Sequence, residues 1–131
     1  MRANFIFVKE RVSHFNKLIF GGELPEIRIM ISTSGSTLGT FSHPRIKGRP
    51  TISDISRCVL RISNRYDLSE TEIEDTIIHE LIHYYIWLSG IHNETPHGES
   101  FMRLMKNINK KFGRNISVRS TKTEEMMDGD D

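Results

Sequence analysis

His79-Glu80-Leu81-Ile82-His83 decides the reading of this chain. Two histidines four apart lie one helical turn from each other, so both imidazoles reach one ion from the same face of a helix. The Glu between them sits close enough to handle a proton on water at that ion. Metal-assisted hydrolysis needs these parts: neutral nitrogen ligands, an open coordination position and a carboxylate base. The plain alternative is a pair of surface histidines beside a solvated charge, and the flanking sequence has to decide.

The flanks favour a long, mostly buried helix. Ser69 and Glu72 make an S-x-x-E capping box, and Glu70, Glu72, Glu74 and Asp75 load the first turns, where the helix dipole favours acids. Gly90 follows as a stop, so the helix runs from about Glu70 to about Ser89 with the motif in its middle. At about 100° per residue, Ile73, Ile77, Leu81, Tyr84 and Leu88 share one core-facing stripe. His79 and His83 lie side by side away from it. Beyond Thr76 the helix is apolar nearly all round (Ile78, Ile82, Tyr85, Ile86, Trp87), which places the histidine pair in a cleft. Two imidazoles and a carboxylate buried there without partners would be costly, which argues against the plain reading.

A zinc site needs a third protein ligand. The metzincin pattern requires Gly at position 86 and His at position 89; Ile86 and Ser89 exclude it. A thermolysin-like site takes a Glu from a later helix, for which Glu94 and Glu99 are the candidates. The other choices are His92 and His97. His97 lies in Thr95-Pro96-His97-Gly98-Glu99-Ser100-Phe101, where Pro and Gly bracket a turn that opens a second helix. Phe101, Leu104, Met105, Ile108 and Phe112 give that helix an apolar face toward the first. His92, nine residues past His83 in the loop near the helix end, reaches back less easily.

Together, His79-Glu80-x-x-His83 and the later His97-Gly98-x-x-Phe101 resemble the SprT-like (Spartan-related) zinc metalloprotease domain family, in its bacterial-type form. Upstream, Phe15-Asn16 through Phe20-Gly21-Gly22-Glu23-Leu24-Pro25, a following apolar strand and Leu38-Gly39-Thr40-Phe41 resemble the family's N-terminal half, so the likeness covers roughly residues 10 to 112. The resemblance implies that His79, His83 and His97 bind Zn2+ and that Glu80 is the catalytic acid/base. It also implies protein substrates and, from Spartan-type members, DNA–protein crosslink repair. Many relatives add a zinc ribbon with paired cysteines. Cys58 is the single cysteine here, so that module is expected to be absent, and with it one support for DNA binding.

The expected fold is α+β and zincin-like: an N-terminal helix, a small sheet, then the motif helix packed against a following helix. The N-terminal helix covers about Phe5 to Phe20, with Val8, Val12, Phe15 and Ile19 on one face and Gly21-Gly22 ending it. Strands are expected at about Ile27 to Ile31, Ser36 to His43 and Ser56 to Ser63, with a short one at Asn115 to Val118. Cys58 alternates with Leu60 and Ile62 as a core residue. Residues 1–119 read as one domain and 120–131 as an acidic, disordered tail. His14 and His43 lack partner spacing and read as structural or surface residues; Trp87 reads as core.

Charge is uneven. Five of the 17 acidic residues lie in positions 124–131, so residues 1–123 carry 12 acidic against 18 basic residues, a net of +6. Arg45, Lys47, Arg49, Arg57, Arg61 and Arg65 form one basic group, and Arg103, Lys106, Lys110, Lys111 and Arg114 another. Such groups attract a phosphate backbone, although solvated helix faces are commonly as basic. Lys9, Glu10 and Arg11 interrupt Phe5-Ile6-Phe7-Val8 too early for a signal peptide, and no stretch is apolar enough to span a membrane. A cytoplasmic location is expected, in keeping with the lone cysteine.

Three function classes follow: a zinc endopeptidase acting on DNA-bound or DNA-crosslinked proteins, a non-proteolytic DNA-binding module with structural zinc, and a zinc hydrolase of small substrates. In the first, Glu80 takes the proton of the attacking water and passes it to the leaving amine. Tyr84, Tyr85 and His92 are the candidates for a helper at the developing oxyanion.

Overall fold

The computed structural model describes residues 1–119. The acidic segment 120–131, with its expected disorder, lies outside the described residues. Helix α1 (Phe5–Phe20) opens at Asn4, whose Oδ1 accepts from the Phe7 amide at 2.9 Å, and closes at Gly21 with φ +64°. Val8, Phe15 and Phe20 are buried, while Val12 and Ile19 are half-buried at the margin of the contact.

The expected sheet strands form, each shifted or shortened. β1 is Arg28–Ser32 and β2 is Gly39–Ser42. The expected start of β2 at Ser36 is taken by a serine turn instead: Ser34 Oγ accepts from the amides of Ser36 (3.2 Å) and Thr37 (3.1 Å). A one-turn helix, α2 (Ile52–Ile55), was not expected and shortens the third strand, β3, to Val59–Ser63. Its signal is present as Thr51-x-x-Asp54, a capping box with Asp in place of Glu: Asp54 N donates to Thr51 Oγ1 at 3.1 Å and Thr51 N to Asp54 Oδ2 at 2.8 Å. The strand order is β1-β3-β2, with β1 parallel and β2 antiparallel to β3. β3 is therefore central, and Leu60 and Ile62 bury from it.

Helix α3 (Glu70–Leu88) is the core of the molecule. Its capping box is formed as expected, with Glu72 N to Ser69 Oγ at 3.1 Å and Ser69 N to Glu72 Oε1 at 2.9 Å. Gly90 follows at φ +82°. Ile73, Ile77, Leu81 and Tyr84 are fully buried on the expected stripe, and Ile78 and Ile82 are buried on other sides. Helix α4 (Glu99–Phe112) packs against α3 through Phe101, Met105 and Ile108 and ends at Gly113, φ +64°. Among the described residues, four helices around a three-stranded sheet make the mixed α/β, zincin-like arrangement the sequence led us to expect. Among the described residues no helix is long and apolar enough to cross a membrane.

Two findings correct the sequence reading. Arg114, grouped with the basic residues of the last helix, faces inward: Nε donates to Asp75 Oδ1 at 2.8 Å and Nη2 to Glu74 Oε1 at 3.2 Å. Arg11 of α1 reaches the same Glu74 at 2.6 Å. The expected strand at 115–118 forms no ladder. Ile116 is buried, with Ser117 and Val118 both half-buried, and the backbone of Ile116 is taken by a side chain. Asn109 Nδ2 donates to Ile116 O at 2.9 Å, and Ile116 N donates to Asn109 Oδ1 at 2.8 Å.

Candidate metal centre

The middle of α3 is buried, and the turn before α4, α4 itself and the segment after it bring partners to the motif histidines. Helix periodicity puts His79 and His83 one turn apart, and the turn at Thr95–Gly98 returns His97 over them. The Nε2 atoms of His83 and His97 lie 3.3 Å and 3.2 Å from Nε2 of His79, and the three ligating nitrogens all fall within 4.8 Å of one another. Nitrogens each at about 2.0–2.1 Å from one tetrahedral zinc would stand about 3.3 Å apart. The trio fits such an ion in donor type and spacing. His79 Nδ1 lies 2.8 Å from the Ser117 carbonyl oxygen, which can only accept. That bond assigns the proton to Nδ1 and directs the Nε2 lone pair toward the other two rings.

Phe101 is the floor of the cluster. Its ring centroid lies 4.9 Å from that of His79 and 4.8 Å from those of His83 and His97, and its side chain is wholly buried. Sequence reasoning placed Phe101 in the family motif and in the α3–α4 contact; in the structure it also backs all three imidazoles.

The other candidate ligands are occupied elsewhere. Glu94 caps α4, whose own N-cap Gly98 has no side chain: Ser100 N and Ser100 Oγ donate to its two carboxylate oxygens at 2.8 Å each. The Ser100 amide holds the Glu94 carboxyl below the usual carboxylate range. Glu99 is exposed on the first turn of α4. His92 turns its Nε2 to the Gly48 carbonyl at 2.7 Å.

Glu80 is only 1 % exposed, inside a step in the sheet surface made by Gly39. A Cβ at Gly39 would stand 2.9 Å from Thr76 Cγ2 and 3.2 Å from Glu80 Cγ, closer than packed carbons tolerate. The glycine of Leu38-Gly39-Thr40-Phe41 thus lets α3 approach the sheet with Glu80 between them.

A cleft of about 810 Å3 opens beside this cluster. Its walls include Phe41 and His43 at the end of β2, Arg45 and Lys47 in the following loop, and Glu80 and His83 on α3. His43 stacks on Phe41 at 5.0 Å between centroids and stands 5.6 Å from the Trp87 ring, so a histidine read as structural or surface borders the cleft. Trp87 is buried as expected and donates its indole N–H to Pro44 O at 3.2 Å. Of the helper candidates, Tyr84 is buried, donates to Pro25 O at 3.1 Å, and has its phenol pushed up by burial. Tyr85 packs on Phe20 at 5.6 Å. His92 lines the cleft with one nitrogen committed to Gly48. A second cavity of about 590 Å3, between α1 and β1, gathers apolar residues such as Val12, Leu24 and Ile29, with none of the clustered histidines.

A buried H-E-x-x-H helix, a mixed three-stranded sheet and a third imidazole from the turn before the next helix define a zincin-like metallopeptidase domain. The chain belongs to the SprT-like family, whose model matches residues 8–122. It is similar to the DNA-dependent metalloprotease SPRTN of Homo sapiens, 28% identical over 113 residues, which are 86% of this chain and 22% of that protein. The SPRTN of Xenopus tropicalis is 30% identical over 107 residues, 79% of this chain and 23% of its own length. The chain therefore spans less than a quarter of the curated relatives it matches.

Proposed function

We propose that this chain is a zinc-dependent endopeptidase hydrolysing protein peptide bonds, with His79, His83 and His97 as the metal ligands and Glu80 as the acid/base. One observation carries the reading: three imidazole nitrogens converge on one point beside a buried carboxylate, at the wall of an open cleft. Zinc held there supplies a Lewis acid that polarises a carbonyl and makes water acidic enough to attack near neutral pH. The chain's residues do the rest. Glu80 takes the proton of the attacking water and returns it to the leaving amine nitrogen. Phe101 and the Ser117 carbonyl hold the imidazoles in the orientation that presents Nε2. β2 pairs only with β3 among the described strands, so its outer edge is available to align an extended polypeptide along the cleft. That edge favours a polypeptide over a small substrate.

DNA-bound proteins are the substrates we favour. The support is the name of the relatives and the cations at the cleft, where Arg45 and Lys47 are exposed with no described carboxylate paired to either. The test is Glu80→Gln. Purified wild type is expected to carry one zinc per chain, and the variant to keep it while cleavage of a DNA-bound protein falls about 10²–10⁴-fold. Undiminished cleavage by the variant would end the protease reading; equal cleavage of free and DNA-bound protein would end only its DNA part.

A further inference from the structure

The segment after α4 makes contacts that a simple chain end does not need. Arg114 pairs with Asp75 at 2.8 Å. One turn further along α3, the Ser117 carbonyl accepts from His79. Between these two rungs, Ile116 is gripped by both its backbone groups on the Asn109 carboxamide of α4. The grip fixes the chain immediately before Ser117, and with it the carbonyl that sets the tautomer and tilt of His79.

We propose that residues 114–117 form a strap that positions the metal site, with Asn109 as its fastener. The inference rests on the metal reading above and adds a reciprocal coupling. Whatever holds the strap down raises metal affinity, and a bound metal, by fixing His79, holds the strap down. Asn109 touches no ligating atom; it acts through Ile116 and Ser117.

The molecule contains its own control. At the end of α1, Asn16 Nδ2 donates to Leu24 O and Leu24 N to Asn16 Oδ1, both at 3.0 Å. This clamp has the same chemistry and likewise sits near the end of a helix that closes on a left-handed glycine, yet it does not lead to a histidine. Its loss reports what a structural clamp is worth.

The experiment compares Asn109→Ala and Asn16→Ala in the full chain. Zinc affinity is measured by chelator competition at a temperature where each variant is folded. The visible spectrum of the cobalt-loaded protein reports ligand geometry, and hydrogen exchange is read at residues 114–118 with and without zinc. Outer partners of metal ligands typically change affinity about 10–100-fold. Asn109→Ala is expected to weaken zinc binding by at least about 10-fold, alter the cobalt spectrum and abolish zinc-dependent protection of the strap. Asn16→Ala is expected to leave affinity and spectrum as in wild type. Equal affinities for wild type and Asn109→Ala, or equal losses in the two variants, overturn the strap proposal and leave the metal site standing. A wild type that binds no zinc overturns both.

Discussion

His79 and Glu80 are neighbours on one helix, both buried, and the structure holds them in opposite ways. His79 is fixed by directed contacts: the Ser117 carbonyl on one nitrogen and the Phe101 ring against its face. Glu80 is packed close over Gly39, where a missing side chain lets the helix approach the sheet. Under the roles proposed above, the difference has a use. A ligand must present one lone pair in one direction, so preorganisation helps it. A proton carrier has to meet two atoms in turn, water and then amine, and what it needs is a carboxylate brought close to the cleft between helix and sheet.

The comparison breaks most severely at Phe101. Replacing this wholly buried ring with Ala removes the floor under three imidazoles and opens a cavity between α3 and α4. The expected loss is about 3–5 kcal/mol of stability, read by denaturant unfolding of the zinc-free chain, together with weakened zinc binding. If Phe101→Ala loses stability but binds zinc as tightly as wild type, the floor belongs to the core alone.

Gly39→Ala tests the other side. Its φ is not positive, so the added methyl meets crowding and no backbone strain. Overpacking of this kind costs about 1–3 kcal/mol. Thr76 Cγ2 and Glu80 Cγ are the atoms in the way, so catalysis is expected to fall further than stability suggests. Zinc content should stay at the wild-type level, because His79 is held from the opposite side. Zinc loss in Gly39→Ala would show that the two supports are not independent.

What the sequence made legible separates along the same line. Helix α3, its caps and its histidine pair were readable because their signals are local, a four-residue spacing and a capping box; His97 stood among four candidates until the family resemblance singled it out. The support around them was not. That Ser117 offers a carbonyl to His79 depends on where Asn109 pins the chain, a contact seven residues long that no periodicity records. The strand expected at 115–118 shows the reason. An alternating sequence pattern suggests an extended half-buried segment, and only the three-dimensional partners decide whether its backbone bonds a ladder or side chains. Arg114 likewise read as surface charge because composition cannot see Asp75 waiting on another helix.

That ion pair gives the smallest and most discriminating test. Burial is the main reason the Asp75 carboxyl is raised above its ordinary value of 3.8, and the Arg114 guanidinium works against it. The folded state then holds the Asp75 proton more tightly than the unfolded chain does. Its contribution to stability is fully present below the unfolded value and is lost as pH rises through the raised one. Arg114→Met removes the opposing charge and lifts the folded value further. The loss on going from about pH 4 to pH 7 must therefore be larger in the variant, by on the order of 1 kcal/mol for each unit of additional shift. Zinc-free protein is the right material, since metal binding carries its own pH dependence. Parallel stability curves for wild type and Arg114→Met would mean that Asp75 is already well solvated without its partner. The strap would then be fastened at Asn109 and not at both ends.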